Sequence, residues 1–152
     1  WSLVEKFSKN LIDLHEGVPG YEEKIGSRVD EIFNKLPSDR ILERLNWSIY
    51  DSPELFQPVG SKPEVTMKRK NIQDLHLRVE RQTIRKLPGQ GSIVFTVRVH
   101  VDPLLSISKE HDLLDDLNLA IASLPQEMKE YKAIDQIEKE VINWIQENQK
   151  IK

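Results

Sequence analysis

The chain has 152 residues, the size of one ordinary domain, and its 22 basic and 25 acidic side chains leave a net charge of −3. That balance offers no basic excess for general nucleic-acid binding. The absence of cysteine excludes disulfides, thiolate metal sites, a cysteine nucleophile and a thiolate-ligated haem.

No apolar run approaches the ~20 residues that span a bilayer, so no membrane partner is expected. The opening Trp1-Ser-Leu-Val-Glu-Lys6 lacks the charged start and apolar middle of a signal peptide, and it lacks an initiator methionine. It reads as a fragment or a processed chain, with a cytoplasmic origin as the default.

In chain order, Leu3, Phe7, Leu11 and Leu14 share one helical stripe, and Gly17-Val-Pro-Gly20 should end that helix. A second helix is predicted from Tyr21 to Leu36, burying Ile25, Val29, Ile32, Phe33 and Leu36, with Pro37 as its stop. Strand signals follow from Ile41 to Tyr50, where Leu45, Trp47 and Ile49 alternate with Arg44, Asn46 and Ser48. Trp47 and Tyr50 read as strand aromatics at the edge of the core. Residues 51–74 look like a long polar connection, with Lys68-Arg-Lys70 as a solvated basic tip.

Leu75 to Arg85 and Ser92 to Val101 then form a predicted β-hairpin about Leu87-Pro-Gly-Gln-Gly91. On its first strand Leu75, Leu77 and Val79 share a face that becomes cationic at Arg81 and Arg85. Such a face either leaves the core or enters a polar pocket. The return strand should bury Ile93, Phe95, Val97, Val99 and Val101. Two helical stripes close the chain: Leu113, Leu117, Ala120, Ile121 and Leu124, broken at Pro125, and then Ile134, Ile137, Val141, Trp144 and Ile145. Helices, three antiparallel strands and helices again make an α+β fold, read as a single domain over residues 1–152.

Several side chains are candidates for chemistry. His15, at the end of the first helix, could ligate a haem iron through a neutral imidazole, or it could simply bond the last carbonyls of that helix. Arg81 and Arg85 present guanidinium forks suited to anions. At strand rise they stand about 13 Å apart, too far to clamp one carboxylate, and an ion pair with Glu80 or another acid is the alternative. Glu80 could carry a proton or hold an ammonium substrate, or it could pair with Arg78 or Arg98. His100, Asp102, His111 and Asp112 have ligand types but no metal-site spacing and read as loop polarity. The common hydrolase and nucleotide signatures are absent.

The run Leu77-Arg-Val-Glu-Arg-Gln-Thr-Ile-Arg-Lys-Leu-Pro88, followed by Gly91-Ser-Ile-Val-Phe-Thr-Val-Arg98 and Asp102-Pro-Leu104, resembles the signature of the haem-dependent oxidative N-demethylase family. Trp1, Glu5-Lys6, Ile12 to His15 and Val18-Pro-Gly-Tyr21 stand in the family's order. So do Asn46-Trp-Ser-Ile49, Pro53-Glu-Leu-Phe56, Leu124-Pro-Gln-Glu-Met128 and Tyr131-Lys132. The resemblance covers nearly the whole chain.

It implies a PAS-like antiparallel sheet with flanking helices enclosing haem b. The implied activity is O₂-dependent demethylation of a small secondary amine such as dimethylamine. Electrons would come from NADPH through flavin and iron–sulfur reductase subunits, and tetrahydrofolate would capture the formaldehyde. On this implication His15 is the axial ligand of the haem iron, Arg81 and Arg85 meet the haem propionates, and Glu80 and Tyr21 lie on the substrate side. Gly17 stands where the family is expected to have proline, which should loosen the turn after His15. The resemblance also places Trp1 partway into the family's domain, so an N-terminal portion completing the sheet and pocket is expected elsewhere. The competing reading is a non-catalytic PAS-like module for ligand sensing or protein interaction, and a third is a structural fragment without a ligand.

Overall fold

The computed structural model describes residues 3–56 and 71–150. The basic segment Lys68-Arg-Lys70 lies outside the described residues. Three strands, β1 (Ile41–Tyr50), β2 (His76–Lys86) and β3 (Ile93–Pro103), form an antiparallel sheet in the order β1-β2-β3. The helices are α1 (Leu3–Lys6), α2 (Leu11–Leu14), α3 (Ser27–Lys35), α4 (His111–Ser123), α5 (Gln126–Tyr131) and α6 (Glu138–Gln149). A π-helical turn, Tyr21–Gly26, leads directly into α3. The α+β class expected from the sequence is therefore the observed one.

The hairpin register follows from its closing bond, in which the Leu87 amide donates to the Ser92 carbonyl at 2.8 Å. Leu87 opposite Ser92 sets Thr83 opposite Thr96, and their hydroxyls meet at 2.6 Å. The same count sets Ile84 opposite Phe95 and Gln82 opposite Val97, and directly opposed residues share a face. Gly89 and Gly91 turn the chain at φ of 77° and 69°, a region that L side chains rarely enter.

The described residues divide into two compact units, and each strand contributes residues to both. The first comprises residues 3–47 with Val79–His100; the second comprises Ser48–Arg78 with residues 101–150. The second holds a conventional apolar core of Ile49, Leu75, Leu104, Leu114, Leu117, Ile121, Ile134, Ile137, Val141, Trp144 and Ile145. The Leu104 amide donates to the Leu75 carbonyl at 2.8 Å, tying the end of β3 to the start of β2. Leu114 has no exposed surface, so Leu114→Ala is expected to lower the unfolding free energy by about 2–5 kcal/mol. A urea titration that finds no change would contradict this packing.

The first unit is built differently. Among its residues of described burial, only Tyr21, Leu36 and Gln82 are buried. The Lys86 ammonium caps the carbonyls of Phe33 and Asn34 at 3.4 and 3.3 Å, so the end of β2 meets the last turn of α3.

Several sequence expectations are corrected here. The single first helix is two short ones, because Ser8 adopts φ of 63° and breaks the path between them, leaving Phe7 exposed. The predicted second helix is present, but Ile25 and Ile32 are exposed and only Leu36 of its stripe is fully buried. Phe95 and Val97 are 52% and 44% exposed, since β3 is a sheet edge and no described element covers that part of its face. In α4 the buried stripe runs through Leu114 and not Leu113, which is exposed. The C-terminal stripe from Ile134 to Ile145 is buried as expected.

Candidate functional site

The site grows from the turn that joins α2 to the π-helical segment. His15 caps α2; the Val18 amide then donates to the His15 carbonyl and the Tyr21 amide to the Val18 carbonyl, at 2.9 and 3.1 Å. These two closures fold the chain back so that the rings of His15 and Tyr21 stack. Their centroids are 4.1 Å apart and their planes differ by 4°. The pair lines an open cleft of about 490 Å³, shared with Ile12, Val18 and the acidic residues Asp13, Glu16, Glu22 and Glu23. That volume falls within the ~300–1,000 Å³ usual for small-molecule and cofactor sites.

His15 Nδ1 stands 2.7 Å from the Leu11 carbonyl oxygen. A carbonyl can only accept, so Nδ1 must carry the proton, and in the neutral ring the lone pair is on Nε2. The bond to a helix-end carbonyl is the plain reading of this histidine. It is also the arrangement that fixes the tautomer of a metal-ligating imidazole and raises its basicity. Among the described residues no group of three or more His, Asp or Glu converges as a free-ion site.

The Tyr21 hydroxyl is buried without a hydrogen-bond partner. Burial raises its pKa above the usual phenol value and the Asp30 carboxylate raises it further, while the Arg44 guanidinium partly offsets both. Arg44 stands on β1 within a cross-strand polar network. Its Nε donates to Gln82 Oε1 at 2.6 Å, Gln82 Nε2 donates to Glu80 Oε2 at 3.0 Å, and Asn46 Nδ2 donates to the same oxygen at 3.5 Å. Arg44, Asn46, Glu80 and Gln82 therefore line one face of the sheet, and Phe95 and Val97 continue it on β3.

Of the residues singled out from the sequence, His15 and Tyr21 come into contact, and Glu80 lies on the network that runs through Gln82 to Arg44. Arg81 and Arg85 are exposed on the opposite face of β2, where Arg81 forms an ion pair with Glu43. Arg78, on the Glu80 face, lies over the Tyr50 ring with its guanidinium carbon 5.7 Å from the centroid and donates to the carbonyls of Glu54 and Leu55. Sequence reasoning passed over Arg44 and Gln82. Their signal was present: each falls on the strand positions that alternate with Leu77 and Val79 or with Leu45 and Trp47, and Gln82 is a polar residue at the centre of the middle strand. A family model described as haem-dependent oxidative N-demethylase, alpha subunit-like, matches residues 1–142 of the chain.

Proposed function

The chain belongs to the haem-dependent oxidative N-demethylase alpha-subunit-like family, and on that premise we propose that it holds haem b at the His15 cleft and supports O₂-dependent demethylation of a small secondary amine such as dimethylamine. The observation that carries this reading is the His15 imidazole, with Nδ1 committed to the Leu11 carbonyl at 2.7 Å and its ring lining a cleft of cofactor size. Three features support the group there: a histidine with Nε2 open, an aromatic ring stacked against it and a buried hydroxyl still lacking a partner. The PAS-like arrangement implied by the family is part of the proposal.

When bound, haem supplies the O₂ activation and electron transfer that no amino-acid side chain provides. The overall change is (CH₃)₂NH + O₂ + 2e⁻ + 2H⁺ → CH₃NH₂ + CH₂O + H₂O, with the electrons derived from NADPH. Flavin and iron–sulfur groups in partner subunits would deliver them, and tetrahydrofolate would capture the formaldehyde.

The chain's own side chains hold and orient. His15 would hold the haem iron through Nε2. Glu80, steadied by Gln82 and Asn46, attracts the substrate ammonium and can take a proton from it at its carboxylate. The Tyr21 hydroxyl, kept neutral by burial, donates a hydrogen bond on the substrate side.

The test is a haem titration of the purified chain followed in the visible range, and then addition of dimethylammonium chloride. A Soret band that forms at stoichiometric haem and shifts with the amine is the expected result. Haem uptake without any amine response would favour a sensor, and no uptake by the chain or a longer version of it would defeat the reading.

A further inference from the structure

The face of the hairpin opposite the Gln82 network carries charges that the sheet by itself does not need. Three fixed points set the hairpin register: Leu87 with Ser92, Thr83 with Thr96 and Leu75 with Leu104. All three follow the same count, so no bulge intervenes and Arg81 stands directly opposite Arg98. Both are exposed, as is Arg85, four residues along β2 on the same face. Like charges directly opposite each other on neighbouring strands are destabilising. Glu43 is the one acid on this face within residues 41–47, 79–85 and 94–100, and it pairs with Arg81. Among the described residues, Arg85 and Arg98 have no acidic partner.

The residue types point to a contact with protein. No lysine lies on this face within those three stretches, although lysine serves a merely solvated surface well. Arginine is enriched at protein interfaces and lysine depleted, because the planar fork pairs with carboxylates at less entropic cost. Ile41 and Leu45 alternate with Arg44 and so share the face with Arg81; they are 58% and 66% exposed.

Size and charge then select the occupant. Arg81 and Arg85 stand about 13 Å apart at strand rise, which exceeds any single carboxylate or phosphate. A phosphate backbone would meet the arginines and leave the aliphatic side chains unused. A two-fold contact of this face with a second copy would set arginine against arginine. A protein segment with carboxylates at strand spacing and aliphatic side chains between them satisfies every group.

We propose that the face bearing Arg81, Arg85 and Arg98 docks an acidic, leucine-bearing segment of another protein. Its carboxylates take the forks of Arg85 and Arg98 and relieve the opposition of Arg98 to Arg81. Its aliphatic side chains cover Ile41 and Leu45. Docking here requires neither haem nor amine.

Fluorescence anisotropy of a labelled, amidated peptide of three Glu-Glu-Leu repeats, titrated with the purified chain, tests it. Saturable binding that weakens as salt rises is expected. The triple variant Arg81→Gln, Arg85→Gln, Arg98→Gln should raise the dissociation constant by about tenfold or more. Arg81→Lys, Arg85→Lys, Arg98→Lys keeps the charge, loses the fork and should weaken binding severalfold. Lys9→Gln, Lys109→Gln, Lys139→Gln removes as much charge from exposed positions outside the sheet and should leave the affinity unchanged. Arg98→Gln alone should melt no lower than wild type while binding more weakly, a combination that a structural arginine would not give.

Wild type that fails to bind the peptide saturably, or binds it no tighter than either triple arginine variant, overturns the proposal. Equal weakening in the lysine control does so too, since it marks attraction by net charge. Equal binding of a nine-nucleotide oligothymidylate would make the face a surface for phosphate backbones instead. A wild-type dimer in sedimentation that the glutamine triple variant abolishes would assign the face to a second copy.

Discussion

His15→Ala is expected to remove the Soret band from haem-loaded protein, with haem retention falling well over about tenfold while the fold survives. The size of the effect follows from the proposal that His15 alone holds the iron. Among the described residues no second histidine lines the cleft, so nothing there replaces the lost nitrogen. The secondary structure should persist because His15 is only part-buried and its ring bonds a carbonyl in its own short helix. Exogenous imidazole, which can enter a cavity of this size, should restore the band in the alanine variant. A full-strength band in His15→Ala without imidazole would place the ligand elsewhere.

The second large effect concerns Tyr21, where two substitutions are expected to move stability in different directions. Tyr21→Ala deletes one of the few buried side chains of its unit and the ring stacked on His15. The expected loss is about 3–5 kcal/mol from cavity formation and lost apolar contact. Tyr21→Phe keeps the ring and removes a hydroxyl that has no partner. A buried donor left unsatisfied costs about 1–3 kcal/mol, so the phenylalanine variant should be at least as stable as wild type. Its amine turnover should nonetheless fall if the hydroxyl serves the substrate.

The pH response separates these variants further. The Tyr21 pKa is raised, first by burial and then by Asp30. The fold thus favours the neutral phenol, and the sign follows. This contribution is fully present below the ordinary phenol pKa and is lost as pH rises through the raised value. Wild type should show a fall in unfolding free energy at the alkaline end that Tyr21→Phe lacks. Parallel curves for the two proteins in chemical denaturation across that range would contradict the burial of this hydroxyl.

The parts of the fold legible in the sequence were those in which one periodicity acts alone. β1 spans Ile41–Tyr50 as its alternation indicates, and the hairpin closes where glycines allow positive φ. Ile134 to Ile145 lie inward as their spacing requires. The α1–α2 break was not legible, because Leu3, Phe7, Leu11 and Leu14 keep helical spacing across a serine that turns left-handed, and serine carries no strong mark for that state. Leu113 and Leu114 are adjacent leucines, so the stripe could be drawn through either one until packing chose.

At the site the same contrast holds. His15 was visible because a histidine before a Gly/Pro turn is chemically conspicuous. Gln82 was not, because a neutral amide becomes informative only when a guanidinium and a carboxylate are seen on its two ends. On the cationic face of β2, Arg81 and Arg85 are exposed and Arg81 meets Glu43.

The uncovered stretch of β3 bears on how the protein behaves at high concentration. From Ser92 to Val97 the sequence Ser-Ile-Val-Phe-Thr-Val carries no charge and no proline, and it is rich in residues that favour extended pairing. It lies on an edge of the described sheet with Phe95 and Val97 open. Such an edge is a template for strand-to-strand aggregation between copies. Arg98, which ends this uncharged run, is an exposed gatekeeper against it. Screening of that charge by salt weakens the defence, so colloidal stability should be best in dilute buffer.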